Sequence, residues 1–295
     1  MLQPKMTVGA LALSALMLLG TPQAQAARLT LLTETGFGQG LVSVNTSAPN
    51  APLGALNFIS GLHAGERLLG IDYRPATGQL YGLGDGSGLY TLDVATGSAT
   101  LIGSGFATPL NGSTFGFDFN PAIDRIRIVS DANQNIVAHP VTGAANVATT
   151  VDTFYAAGDA NAGADPHVVH HAYDGNVAMS PATQLRAIDT RLDVLVAQAN
   201  NAGSLVTIGA LGIDATDIGG FDVSDTGLAF AVFANIGTGT SALYSINLVT
   251  GAATSLGSIG EVVSGIAVAP VPVPAALPLF GIAAGLLWSR RRQTV

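Results

Sequence analysis

The sequence predicts an all-β fold, a β-propeller of five four-stranded blades, on three observations. A short strand motif recurs five times at blade-sized spacing, most copies sit beside a second hairpin, and one copy lacks a strand that reappears at the far end of the chain. Composition agrees with this. With 37 glycines and 10% charged residues the chain is too glycine-rich for a helical bundle and too apolar for disorder, and many tight turns are expected.

The motif reads Leu41-Val-Ser-Val-Asn45, Leu89-Tyr-Thr-Leu-Asp93, Asn135-Ile-Val-Ala-His139, Leu185-Arg-Ala-Ile-Asp189 and Leu243-Tyr-Ser-Ile-Asn247, at spacings of 48, 46, 50 and 58 residues. Three copies continue into Thr96-Gly97, Thr142-Gly143 and Thr250-Gly251, turn signals that lead to a further strand. Before most copies stands a hairpin whose first strand reads Gly70-Ile-Asp-Tyr73, Gly116-Phe-Asp-Phe119, Ala172-Tyr-Asp-Gly175 or Gly220-Phe-Asp-Val223. Four strands per unit, with alternating hydrophobicity and turn punctuation, is the pattern of a propeller blade. The expected blades cover 68–104, 115–149, 172–210 and 218–257, with the first split between 28–59 and 262–269. The split follows from Gly265-Ile-Ala-Val-Ala-Pro270, which echoes Gly70-Ile-Asp-Tyr-Arg-Pro75, so that N- and C-terminal strands pair and close the ring. A prism-shaped or open solenoid is the competing architecture.

Both ends read as addresses, giving a signal peptide at 1–26, a propeller domain at 27–270 and a C-terminal sorting or membrane segment at 271–295. Lys5 precedes an apolar run from Val8 to Leu19, and Ala24 and Ala26 form a small-x-small cleavage pattern, so export and a mature start at Ala27 are expected. The chain contains no cysteine, so exported stability must come from packing and hydrogen bonds. At the other end Val271-Pro272-Val273-Pro274 leads into an apolar stretch and Arg290 to Arg292. This tail resembles the Pro-Glu-Pro sorting signals that bacterial exosortases are thought to recognise and cleave, with Val273 in place of the glutamate. The resemblance implies transient inner-membrane anchoring, an exosortase-like processing partner and a destination at the cell surface or beyond. A plain C-terminal anchor is the alternative.

Between the two ends lie seven arginines, no lysine and all 19 acidic residues, a net charge of 7 − 19 = −12. That balance repels phosphate backbones and anionic headgroups, which excludes nucleic acid as a partner. Leu69-Gly-Ile-Asp-Tyr-Arg-Pro75, Phe115-Gly-Phe-Asp-Phe-Asn-Pro121, Asp124-Arg-Ile-Arg-Ile-Val-Ser130 and Leu192-Asp-Val-Leu195 resemble an exported bacterial family known as domain of unknown function 4394. The resemblance implies a fold class and a location, and no activity comes with it.

Four constellations carry candidate chemistry. Asp72, Asp118, Asp174 and Asp222 occupy equivalent places on first strands, where carboxylates either ring the channel or satisfy their own turns, with Ala267 at the fifth place. Asp159, Asn161 and Asp165 match the start of a calcium loop, but His170 stands where the twelfth-position acid belongs, so calcium competes with a plain surface loop. His167, His170 and His171 are metal-capable, yet an extended strand sends His170 to the opposite face from the other two. Arg125 and Arg127 project from one face near Asp118, either as a fork for a carboxylate or acidic sugar or as an inter-blade ion-pair network. No cofactor is expected apart from this calcium. The sequence thus points to an exported surface or matrix protein, non-catalytic, with a binding or structural role beside exopolysaccharide in a biofilm. A propeller hydrolase or lyase acting on carbohydrate is the alternative, by fold analogy alone.

Overall fold

Period-two alternation of Leu, Ile, Val and Phe with small or polar residues produces strands throughout, and the computed structural model describes residues 26–271 as five small sheets, antiparallel but for one short edge strand, set in a ring. Blade 1 uses β1 (Arg28–Thr35), β2 (Gly38–Asn45), β3 (Ala48–Pro52) and β4 (Asn57–Phe58). Blade 2 uses β5 (Leu68–Arg74), β6 (Gln79–Gly84), β7 (Leu89–Leu92) and β8 (Ala99–Ile102). Blade 3 has β9 (Phe115–Asn120), β10 (Arg125–Ser130) and β11 (Asn135–Ala138). Blade 4 comprises β12 (Phe154–Tyr155), β13 (Val168–Tyr173), β14 (Leu185–Asp189), β15 (Val194–Gln198) and β16 (Ser204–Ala210). Blade 5 holds β17 (Gly219–Val223), β18 (Ala229–Asn235), β19 (Thr240–Ile246) and β20 (Ala253–Ile259), and β21 (Val262–Val268) returns to blade 1. The molecule is a five-bladed β-propeller.

Ring closure takes the expected form. β21 is the innermost strand of the first sheet and pairs antiparallel with β1, from Leu29 opposite Val268 to Glu34 opposite Val262. Inner strands then neighbour one another in the cycle β21, β5, β9, β13, β17 and back to β21. Five clusters of buried side chains fill the five seams between blades. Leu32, Leu41, Ile71 and Tyr90 pack blade 1 on blade 2, while Leu83, Phe117, Phe119 and Ile128 pack blade 2 on blade 3. Val232, Leu243 and Ile266 join blade 5 to the closing strand. Burying a side chain of this size is worth about 1.5–3 kcal/mol, so each seam is a hydrophobic interface in its own right.

The repeated Thr-Gly turns are one structure written three times. In each, the glycine lies at positive φ (75° at Gly97, 69° at Gly143, 83° at Gly251) and its N–H bonds the carbonyl four residues back, at Asp93, His139 and Asn247. Only glycine adopts that backbone without strain.

Two expectations about blades are corrected. Blade 3 lacks a fourth strand. After β11 the chain touches it through a single bridge, Ala138 to Ala145, and Asn146 at φ 55° breaks the extended run that a fourth strand needs. Blade 4 begins at Val168 rather than at 172, and gains β12, which pairs in parallel with β16 and covers that sheet's outer edge. Among the described residues no helix is long and apolar enough to cross a membrane. The expected signal peptide and sorting segment, including Ala24, Pro272, Val273 and Pro274, lie outside the described residues, whereas Ala26 and Val271 are exposed at the two ends of the described chain.

Candidate functional site

The inner strand of each blade has one edge that faces the axis and finds no partner strand. Its amides must be satisfied in another way. The phenylalanine N–H at Phe119 donates to Asp72 Oδ2 (2.8 Å), Tyr173 N–H to Asp118 Oδ1 (2.9 Å) and Val268 N–H to Asp222 Oδ2 (2.5 Å). Each aspartate therefore reaches across a seam to the next blade rather than into its own turn. Asp222 also accepts from Val223 N–H through Oδ1 (2.6 Å).

This pattern resets the alignment of blade 4. Because Tyr173 receives Asp118 as Phe119 receives Asp72, the residue equivalent to Asp72 and Asp118 is Ala172, and Asp174 lies two places beyond it. Asp174 instead takes the turn role, accepting from Gln184 N–H (2.6 Å) with Arg186 at 3.6 Å. The axis thus holds Asp72, Asp118 and Asp222 with Ala172 and Ala267 between them. The Val168-Val169 pair, matched to Leu68-Leu69, carries this register in the sequence; the letters Tyr-Asp-Gly obscured it.

The three carboxylates converge. One oxygen from each lies within 4.8 Å of the others, and the residues are 1%, 2% and 1% exposed. No basic side chain hydrogen-bonds or ion-pairs with them among the described residues. Asp72 Oδ1 is buried without any hydrogen-bond partner. Desolvation dominates the resulting electrostatics. Burial pushes the Asp222 carboxyl up to about 7, burial and Asp222 raise Asp72 well above its usual range, and burial with Asp72 and Asp222 does the same to Asp118.

Above the carboxylates the channel narrows to a neck of about 20 Å³, lined by the preceding residues of the five inner strands, including Gly70, Gly116, His171, Gly220 and Gly265. The next blade closes over these glycines, with a side chain at Gly116 and backbone at Gly220. A Cβ on Gly116 would stand 2.2 Å from His171 Nδ1 and one on Gly220 2.7 Å from the Ile266 nitrogen. His171 Nε2 donates to the Arg127 carbonyl at 3.0 Å, and burial lowers its pKa to about 3, so the ring is neutral. Beyond the neck a mouth of about 290 Å³ receives residues from all five blades, among them Glu34, Arg67, Asp85, Phe115, His170 and Asp217. Arg67 pairs with Glu34, while Asp217 bonds the Thr190 hydroxyl (2.5 Å) and His167 (3.0 Å). Burial pushes the Asp217 carboxyl up, but Thr190 and His167 outweigh it and hold that carboxyl below the usual range.

The other candidate residues disperse. Asp159 Oδ1 accepts from Asn161 N–H and the Thr207 hydroxyl, and Oδ2 from Thr207 N–H, which clamps the insertion onto β16. Asn161 bonds the same hydroxyl, but Asp165 faces Asn133 and Arg191. Neither Asp159 nor Asp165 belongs to a converging acidic group. His167, His170 and His171 bond Asp217, the Thr216 carbonyl and the Arg127 carbonyl in turn, so they share no point.

Arg125 opens β10 and folds its guanidinium back onto the preceding turn, donating to the Asp124 carbonyl (2.8 Å). Arg127 is buried and spends its guanidinium on neutral groups, Asn135 Oδ1 (2.8 Å), Asn201 Oδ1 (2.6 Å) and the Tyr173 hydroxyl (3.4 Å). It therefore bridges blades 3 and 4 by hydrogen bonds and no fork forms with Arg125. Inter-blade ion pairs do form, but with other arginines: Asp124, one of the acids near this pair, meets Arg74 of blade 2 (2.8 and 2.5 Å), and Arg67 of blade 2 meets Glu34 of blade 1.

The profile of the family described as Domain of unknown function (DUF4394) matches residues 40–267. No curated protein matches the sequence. Solved structures with similar shape include TolB from Acinetobacter baumannii, at 13% identity and TM-score 0.42 over 78% of this chain and 53% of that one. Kuenenia stuttgartiensis hydrazine synthase follows at 12% and 0.39, over 67% and 51%. The chain spans about half the length of either, and likeness at this level carries no argument about its activity.

Proposed function

The chain belongs to the family described as Domain of unknown function (DUF4394), and from the geometry of its mouth and axis we propose that it is an exported, non-catalytic binding protein of the cell surface or extracellular matrix, taking uncharged, hydroxyl-rich polysaccharide at the mouth. The observation that carries this reading is the separation of the two polar regions. The mouth offers carboxylate acceptors at Glu34, Asp85 and Asp217 beside the Phe115 ring, while the converging acids lie sealed beneath the neck. Hydroxyl groups donate to carboxylates, and a domain of net charge −12 disfavours an acidic glycan.

Carbohydrate hydrolysis needs two carboxyl groups flanking an accessible bond, one of them protonated. The carboxyls that burial pushes toward the protonated form are the sealed ones, Asp72, Asp118 and Asp222, whereas Asp217 in the mouth is held below the usual carboxylate range. The terminal signals support export through the general secretory route and release or anchoring by an exosortase-like enzyme.

The full chain, screened on immobilised neutral β-glucans and galactomannans beside alginate and polygalacturonate, is expected to bind the neutral set, and Asp217→Asn with Arg67→Ala to weaken binding at least tenfold. Release of reducing ends, or binding confined to the acidic set, would contradict the reading. Protein recovered from the native envelope or medium is expected to start at Ala27 and to lack Arg290 to Arg292 by intact mass; unprocessed chain there would remove the export argument.

A further inference from the structure

We propose that Asp72, Asp118 and Asp222 together bind one hard divalent cation of the calcium class on the propeller axis, where it ties blades 2, 3 and 5 to one point. Oxygen ligands of calcium sit at about 2.3–2.6 Å, so a pair on opposite sides of the ion is about 4.6–5.2 Å apart and three spread evenly around it are about 4.0–4.5 Å apart. An oxygen from each of the three aspartates lies within 4.8 Å of the others, a spacing that a single ion spans.

A second observation points to a ligand independently of the clustering. Asp72 is 1% exposed, its Oδ2 is held by Phe119 N–H, and its Oδ1 has neither a hydrogen-bond partner nor contact with solvent. An acceptor left in that state costs about 1–3 kcal/mol, more for a charged group, unless something occupies it. Among the described residues no basic side chain pairs with these carboxylates. Arg74 is committed to Asp124, and Arg127 to Asn135, Asn201 and Tyr173.

The donor set selects the ion. Three carboxylates without sulfur or imidazole suit calcium, magnesium or manganese and disfavour zinc or copper. Ala172 and Ala267, at the two remaining inner positions, place no side-chain atom beyond Cβ beside the acids. The neck of about 20 Å³ above them is large enough for one water, which would add a ligand from the mouth side. It is too narrow for a hydrated ion to pass freely. The ion is then acquired during folding and exchanges slowly, which separates this site from a weak surface one. The inference is independent of what the mouth binds.

The test uses the full chain unfolded in chelator, then refolded with or without millimolar calcium. Metal content by elemental analysis and native mass spectrometry is expected to reach about one calcium per chain, and melting to rise by about 5–10 °C. Asp72→Asn and Asp118→Asn keep a side-chain oxygen for the Phe119 and Tyr173 amides while removing charge. Each is expected to fold without metal and to lose both the bound ion and the calcium response. Asp159→Ala is expected to keep both. Identical melting curves with calcium and chelator together with no stoichiometric metal, undiminished binding in Asp72→Asn, or loss of binding in Asp159→Ala would each overturn the proposal. Should the aspartate variants misfold, metal content of refolded wild type still decides it.

Discussion

Replacing His171 with glutamine is expected to flatten the acid sensitivity of the ring. The imidazole sits in the seam against Gly116 and donates Nε2–H to the Arg127 carbonyl, and burial first, with the Arg127 charge and His170 assisting, holds its pKa near 3. In the unfolded chain a histidine titrates at about 6.5. Between those values the unfolded chain takes a proton that the folded chain refuses, so stability is fully present above pH 6.5 and falls as pH drops toward 3. A shift of about 3.5 units at 1.36 kcal/mol each gives an upper bound of about 5 kcal/mol, comparable with the whole stability of a marginal domain. His170, also lowered by burial, acts in the same sense. Asp72, Asp118 and Asp222, raised by burial, act in the opposite sense, but they are common to both proteins and cancel in the comparison. Glutamine retains a donor near the Arg127 carbonyl and cannot titrate. Urea unfolding at pH 7.5, 6, 5 and 4 should show wild type losing stability faster than His171→Gln, by about 1 kcal/mol or more per unit below pH 6. Parallel pH profiles for the two proteins would refute the buried, neutral imidazole.

Three further outcomes follow from the seams. Arg74→Met removes the two-pronged pair with Asp124, and with both side chains partly screened by solvent the loss should be about 1–2 kcal/mol by denaturant midpoint; no change would mean the pair is solvated. Deleting Val262–Val268 exposes the β1 edge and strips the donor from Asp222, so light scattering should report aggregation, whereas truncation after Val271 should leave the melting temperature unchanged. Asp159→Ala frees Thr207 from its clamp and should cost about 1–2 kcal/mol of stability by urea titration at any calcium concentration; a calcium-dependent loss would return the ion to the insertion.

Which features were legible in the sequence depended on how local they were. The Thr-Gly turns and the five strand motifs repeat because each blade solves the same local problem, and the match of Gly265-Ile-Ala-Val to Gly70-Ile-Asp-Tyr sufficed to find the closing strand. Contacts between blades left weaker traces. Period-two alternation tells which residues share a face of a strand, not which neighbour that face meets, so Asp72 was weighed as a turn residue when it serves Phe119, 47 positions away. For the same reason Arg127 was set among acids on its own hairpin, yet it turns to Asn201 of the next blade. The Asp159 insertion shows why spacing alone left two readings open. Its spacing imitates a calcium loop because short turns and calcium loops both need oxygens at alternate positions.

The central claim is that the inner strands are locked to one another by aspartates reaching across the seams, with β21 completing the circle. Amide hydrogen exchange at Phe119, Tyr173 and Val268 tests it most directly, because these three N–H groups face the axis and have carboxylates in place of strand partners. The account predicts that all three exchange only through global unfolding, at the rate of the slowest amides in β9 and β13. Exchange at the rate of exposed loop amides would contradict it.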